Sequence, residues 1–188
     1  MLLRSIRVPN QSDRESLNLT IEQLNASIGK ARALARGLSP VKVARGELGA
    51  ALGQLATDLS LAWPVTVRCR CALADVELSS SQADHLYRIA HERLVTLVRH
   101  PDTREINIDV EASDRDLSLT ISNEGPMAMR ATAGSPGDGD EMVLRIIAYR
   151  ARLLGGAARY ETTGTGARLV VTVPGVRRRA PIAADTVP

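Results

Sequence analysis

The chain has no phenylalanine, one tryptophan and three tyrosines among its 188 residues. Its core must therefore be built from Leu, Val, Ile and Ala, and the 44% hydrophobic content is enough to supply one. Lysine is nearly missing too: Lys30 and Lys42 stand among 24 basic residues, so 22 are arginine, interspersed with 21 acids for a formal net charge of +3. Charge so dispersed lacks the same-sign stripe that a nucleic-acid surface needs, and nucleic acid is not expected as a partner. Cys69 and Cys71 are the only cysteines. They lie two apart in an alternating segment, on one face of one strand, a poor geometry for a disulfide. Two such ligands with no neighbouring His cannot close a zinc site, so both read as reduced thiols. No apolar run approaches the roughly 18 residues of a membrane span. The opening Met-Leu-Leu-Arg-Ser-Ile-Arg lacks the apolar core of a signal peptide, and the expected location is cytoplasmic.

Residues 1–12 read as a lead-in. From Asp13, a helix-capping residue, apolar side chains recur at Leu17, Ile21, Leu24, Ile28, Ala31, Ala35 and Leu38. The 4-3-4-3-4-3 spacing is a heptad seam that calls for a partner helix, the alternative being one long helix folded back on the following domain. At about 24 residues the helix would be roughly 36 Å long, which exceeds what a small domain covers. Gly37 and Pro40 end it. A second amphipathic helix is expected over Gly46–Leu61, stopped by Trp63-Pro64, then a strand over Val65–Cys71 and a capping site at Ser79–Ser81. The central stretch, His85–His100, spaces Leu86, Ile89, Ala90, Leu94, Leu97 and Val98 as a helix face, with Glu92 and Thr96 side by side on the other. Ile106–Val110 and Leu117–Ile121 alternate as a hairpin, and Asn123-Glu-Gly-Pro126 opens an aperiodic Gly-rich loop to Asp140. Met142–Leu154 reads as a helix closed by Gly155-Gly156. Ala157–Thr162 and Arg168–Val173 form a last hairpin, and residues 175–188 a disordered tail. The order implies an α+β fold, a two-layer sandwich with helices on one face of a mixed sheet.

Three blocks in this order, Arg32–Val41, His85–His100 and Leu144–Gly156, resemble sensor histidine kinases of two-component systems, in the branch with short histidine-containing dimerisation domains. The resemblance spans about residues 17–174. It implies a Bergerat-type (GHKL) ATP-binding domain over residues 41–174, preceded at 13–40 by the second helix of a dimerisation hairpin, a role that the heptad seam fits independently. It also implies ATP and Mg²⁺ as cofactors if the site is active, and none otherwise.

In that family an Asn one turn after a Glu ligates Mg²⁺, an Asp before a Gly accepts from the adenine amine, and glycines at the start of the helix after the lid admit the phosphates. Glu92 is retained as the catalytic candidate. The metal position is Thr96, a weaker ligand than an amide oxygen; the adenine position is Asn123, followed by Gly125; and the phosphate glycines fall on Glu141 and Val143. Cβ atoms and a carboxylate at these positions would oppose a triphosphate. No block matches the family's phosphoacceptor His, because His85, His91 and His100 all lie on the central helix. The expectation is a degenerate kinase module that pairs through the seam, as a homodimer or with a partner kinase or response regulator, and binds ATP weakly or not at all. Two alternatives stand beside it. One is a working ATP-binding domain that phosphorylates a histidine acceptor in trans, and the other a scaffold that only oligomerises.

Overall fold

In a computed structural model of the chain, the structure describes residues 11, 15–21, 23–24, 27–28, 31, 43, 46–73, 76–100, 102–113, 115–124, 138–163 and 166–178. Residues 15–21, 23–24, 27–28 and 31 are helical, which agrees with a helix in the N-terminal segment. Leu17, Ile21, Leu24 and Ile28 are each about half exposed, so that part of the seam is uncovered. Ala31 is also exposed, whereas Ala35 and Leu38 lie outside the described residues. Of the lead-in expected over 1–12, only Gln11 is described, and it is helical.

Helix α1, Leu48–Ala62, buries Leu48, Leu52, Leu55 and Leu59 at the three- and four-residue spacing that lines one helical face. It ends at Trp63, whose N–H donates to the Leu59 carbonyl at 3.0 Å. Strand β1, Thr66–Ala72, is followed by the two-residue strand β2, Val76–Glu77. Helix α2, Ser80–Val98, begins at the expected capping site and carries the central stretch as far as Val98. A capping box fixes its start. The Gln82 N–H donates to Ser79 Oγ at 3.2 Å, and the Ser79 N–H donates to Gln82 Oε1 at 2.9 Å, which satisfies two donors that the first turn would otherwise leave open.

Strands β3, Glu105–Ala112, and β4, Asp116–Glu124, form the expected hairpin. Helix α3 spans Asp138–Leu153 and β5 and β6 span Ala157–Thr163 and Gly166–Pro174. The helix starts four residues earlier than expected because Asp-Gly-Asp-Glu reads as acidic loop, although acids in a first turn favour a helix N-terminus. Gly155, at φ +70°, takes the left-handed conformation that ends α3.

The five-stranded sheet has the order β1-β3-β4-β6-β5, with β1 parallel to β3 and every other pair antiparallel. Its inner face carries Ile106, Ile108, Val110, Leu117, Leu119, Ile121, Leu169, Val171 and Val173, all buried beneath the helices. Full burial of one such side chain is worth about 1.5–3 kcal/mol. The outer face is polar, with Arg68 paired to Glu105 and Arg70 to both Asp109 at 2.8 Å and Glu111 at 2.6 Å. Cys69 and Cys71 are free, half-buried thiols against the core. Burial first, then the neighbouring Cys71 and Asp109, pushes the Cys69 thiol up to about 11, and burial also raises Cys71.

One expectation needs correcting. The tail assigned to 175–188 is ordered as far as Arg178: Val176 is buried, and β7, Arg177–Arg178, pairs antiparallel with β2. A strand of two residues has no periodicity to read, so its pairing is set by the surrounding fold.

Candidate functional site

Asn123 lies on the inner face of β4, between Ile106 of β3 and Ala167 of β6. It is 2% exposed, and neither its Oδ1 nor its Nδ2 has a hydrogen-bond partner. Leaving a buried polar group unsatisfied costs about 1–3 kcal/mol, so this side chain opposes folding unless something outside the chain engages it. The strands close tightly around its backbone: a Cβ at Gly166 would lie 2.2 Å from the Asn123 carbonyl oxygen, which makes glycine obligatory there. Gly125 lies outside the described residues.

Glu92 and Thr96 are half-buried neighbours on α2, as their spacing requires. The Thr96 hydroxyl donates to the Glu92 carbonyl at 2.9 Å, so it is turned back along its own helix. On α3, Glu141 is exposed and its carboxylate meets Arg145 Nη2 at 2.5 Å, while Val143 is half-buried against the core. Residues two apart on a helix do not share a face. Glu141 and Val143 therefore do not converge on one point, and much of the Glu141 charge is directed at Arg145. Among the described residues, no group of three His, Cys, Asp or Glu side chains could hold a metal ion.

Two features escaped the sequence reading. Arg93 is 2% exposed inside α2; its guanidinium carbon stands 5.2 Å from the centre of the Tyr160 ring, and Nη2 lies 3.5 Å from the Tyr160 hydroxyl. Its Nε has no hydrogen-bond partner, and none of the ion pairs formed among the described residues includes it. The available signal was position, since residue 93 falls within the apolar stripe that runs through Ala90, Leu94 and Leu97. His85 is the second. Desolvation first, then Arg150, holds its pKa below 6.5 against the upward pull of Asp84, and Arg88 lowers it further.

Comparison with solved structures places this arrangement. The histidine kinase domain of the Erythrobacter litoralis EL346 blue-light activated histidine kinase superposes with a TM-score of 0.56 at 18% identity, over 89% of this chain and 87% of that one. The chain has the fold of a histidine kinase ATP-binding domain. Acinetobacter baumannii histidine kinase AdeS matches this kinase-like fold with a TM-score of 0.53 at 13% identity, over 91% of this chain and 88% of that one. The ATP binding domain of PrrB from Mycobacterium tuberculosis matches at 0.51 and 22% identity, over 68% of this chain and 93% of that one. No protein-family model and no curated protein matches the sequence. The kinase-like fold puts an expected adenine residue, Asn123, on a buried strand end and leaves Glu141 in solvent. No helix among the described residues is long and apolar enough to cross a membrane.

Proposed function

We propose that the chain is a degenerate kinase module of two-component signalling, which acts in the cytoplasm through its exposed apolar seam and a protein partner and holds Mg²⁺-ATP weakly or not at all. The observation that carries this reading is Thr96. Magnesium demands near-octahedral oxygen ligands, usually including carboxylates or phosphates. Thr96 offers one neutral hydroxyl, turned back to donate to the Glu92 carbonyl, in place of an amide oxygen. A single neutral hydroxyl, with no group of three His, Cys, Asp or Glu side chains among the described residues able to hold a metal, does not fit a tightly held magnesium ion. The uncovered Leu17, Ile21, Leu24 and Ile28 support pairing with a second copy or with a partner helix.

A second reading, an ATP-binding domain that phosphorylates a histidine acceptor in trans, is favoured by Asn123. Its unpartnered amide presents an acceptor and a donor together, the pairing that matches the amine and ring nitrogen of adenine. Phosphate release separates the readings. The degenerate module releases none above background, and Glu92→Ala leaves that unchanged; a working domain releases phosphate and loses the activity in Glu92→Ala. Light scattering on a form lacking residues 1–38 tests the seam, with loss of self-association expected and an unchanged oligomeric state counting against it.

A further inference from the structure

Strand β5 ends the five-stranded sheet and pairs only with β6 among the described residues. Beside this edge, between α3 and the inner face of β5 and β6, runs a groove of about 330 Å³. Ala158, Tyr160 and Leu169 line it from the sheet, Ala148 lies on the helical wall, and Arg145, Arg152 and Arg159 line it as well. The helical stretch that walls it, from Glu141 to Arg152, rises about 16 Å. That length accommodates about five residues of extended chain at the strand rise of about 3.3 Å per residue.

The charges differ from those at the opposite edge. On β1, Arg68 and Arg70 are answered within the sheet by Glu105, Asp109 and Glu111. Along the groove, neither Arg152 nor Arg159 takes part in any ion pair formed among the described residues. Beneath the floor, Arg93 holds a buried positive charge against the Tyr160 ring. The acids nearby are Glu141, engaged by Arg145, and Glu161, exposed on β5. An extended chain with alternating acidic side chains would satisfy both the open backbone edge and the unanswered cations.

We propose that this groove takes an acidic extended segment of a partner protein, added to β5 as a sixth strand, independently of any nucleotide. Fluorescence anisotropy tests it with a fluorescein-labelled peptide about eight residues long in which Glu alternates with Val. Two controls accompany it: the same peptide with Lys in place of Glu, and the Glu peptide N-methylated on alternate backbone amides. The acidic peptide should bind. Replacing Arg152 and Arg159 together by Gln should weaken it by about five- to tenfold, the value of two exposed charge pairs, and Ala148→Trp, which fills the groove, should abolish binding while thermal melting shows a folded protein. N-methylation should cost at least about tenfold through lost backbone hydrogen bonds. Four results overturn the proposal: no binding of the acidic peptide, which leaves the arginines as guards of a bare edge; equal binding of the Lys peptide; equal binding of the N-methylated peptide, which means attraction without strand pairing; and self-association that blocks the groove and vanishes in Ala148→Trp, which makes the occupant a second copy.

Discussion

The two ends of strand β4 share a face and a depth of burial but differ in chemistry. On β4, Leu117, Leu119 and Ile121 are buried on the inner face, each set against apolar neighbours on β3 and β6. Two residues further along the same face, Asn123 is as deeply buried yet carries two polar atoms with no partner. Strand, face and burial are alike, and only the chemistry differs. The apolar end accounts for stability, whereas the polar end costs stability unless a ligand or a buried water engages the amide. Arg93 poses the same question on α2, where a guanidinium occupies a stripe of Ile, Ala and Leu.

Substitution should separate the ends by sign. The largest effect is expected at Leu119→Ala, which should lower unfolding free energy by about 2–5 kcal/mol in urea denaturation, through lost transfer energy and a cavity. Asn123→Leu should instead raise it by about 1 kcal/mol, because an apolar side chain removes both unsatisfied atoms. A loss at Asn123→Leu as large as at Leu119→Ala would mean that the amide is part of the packing. Arg93→Met, which keeps much of the length and removes the charge, should change stability by no more than about 1 kcal/mol in either direction.

Smaller effects follow from titration. His85 is held below its ordinary 6.5 in the folded state. The unfolded chain therefore takes up the proton first as pH falls, and stability is complete above about 6.5 and declines below it. Melting temperature should fall over that range in the wild type and flatten in His85→Gln. Cys69, raised to about 11, should alkylate slowly in the folded protein at neutral pH, with a rate that climbs with pH toward about 11 and a jump on denaturation.

Much of this was legible in the sequence. The 3-4 spacing of Leu48–Leu59, the alternation of Ile106–Val110 and the Ser79 capping site each state a local preference that the fold keeps. The start of α3 was harder: it begins at Asp138, four residues before its apolar pattern, because an acidic first turn favours a helix N-terminus. The pairing of Val76–Glu77 with Arg177–Arg178 was not legible, since it depends on residues about a hundred apart meeting in space. At the candidate site, Glu92 and Thr96 were readable from spacing, but the hydroxyl's turn toward its own helix was not. Nor was the cation under Tyr160, because a lone arginine in a helix is ordinarily read as solvated.

The central proposal is that the fold has outlasted its metal and phosphate chemistry. Calorimetric titration of ATP with and without Mg²⁺ tests it most directly. The account predicts no micromolar binding and no strengthening by Mg²⁺; micromolar affinity that depends on Mg²⁺ and is lost in Thr96→Val would contradict it.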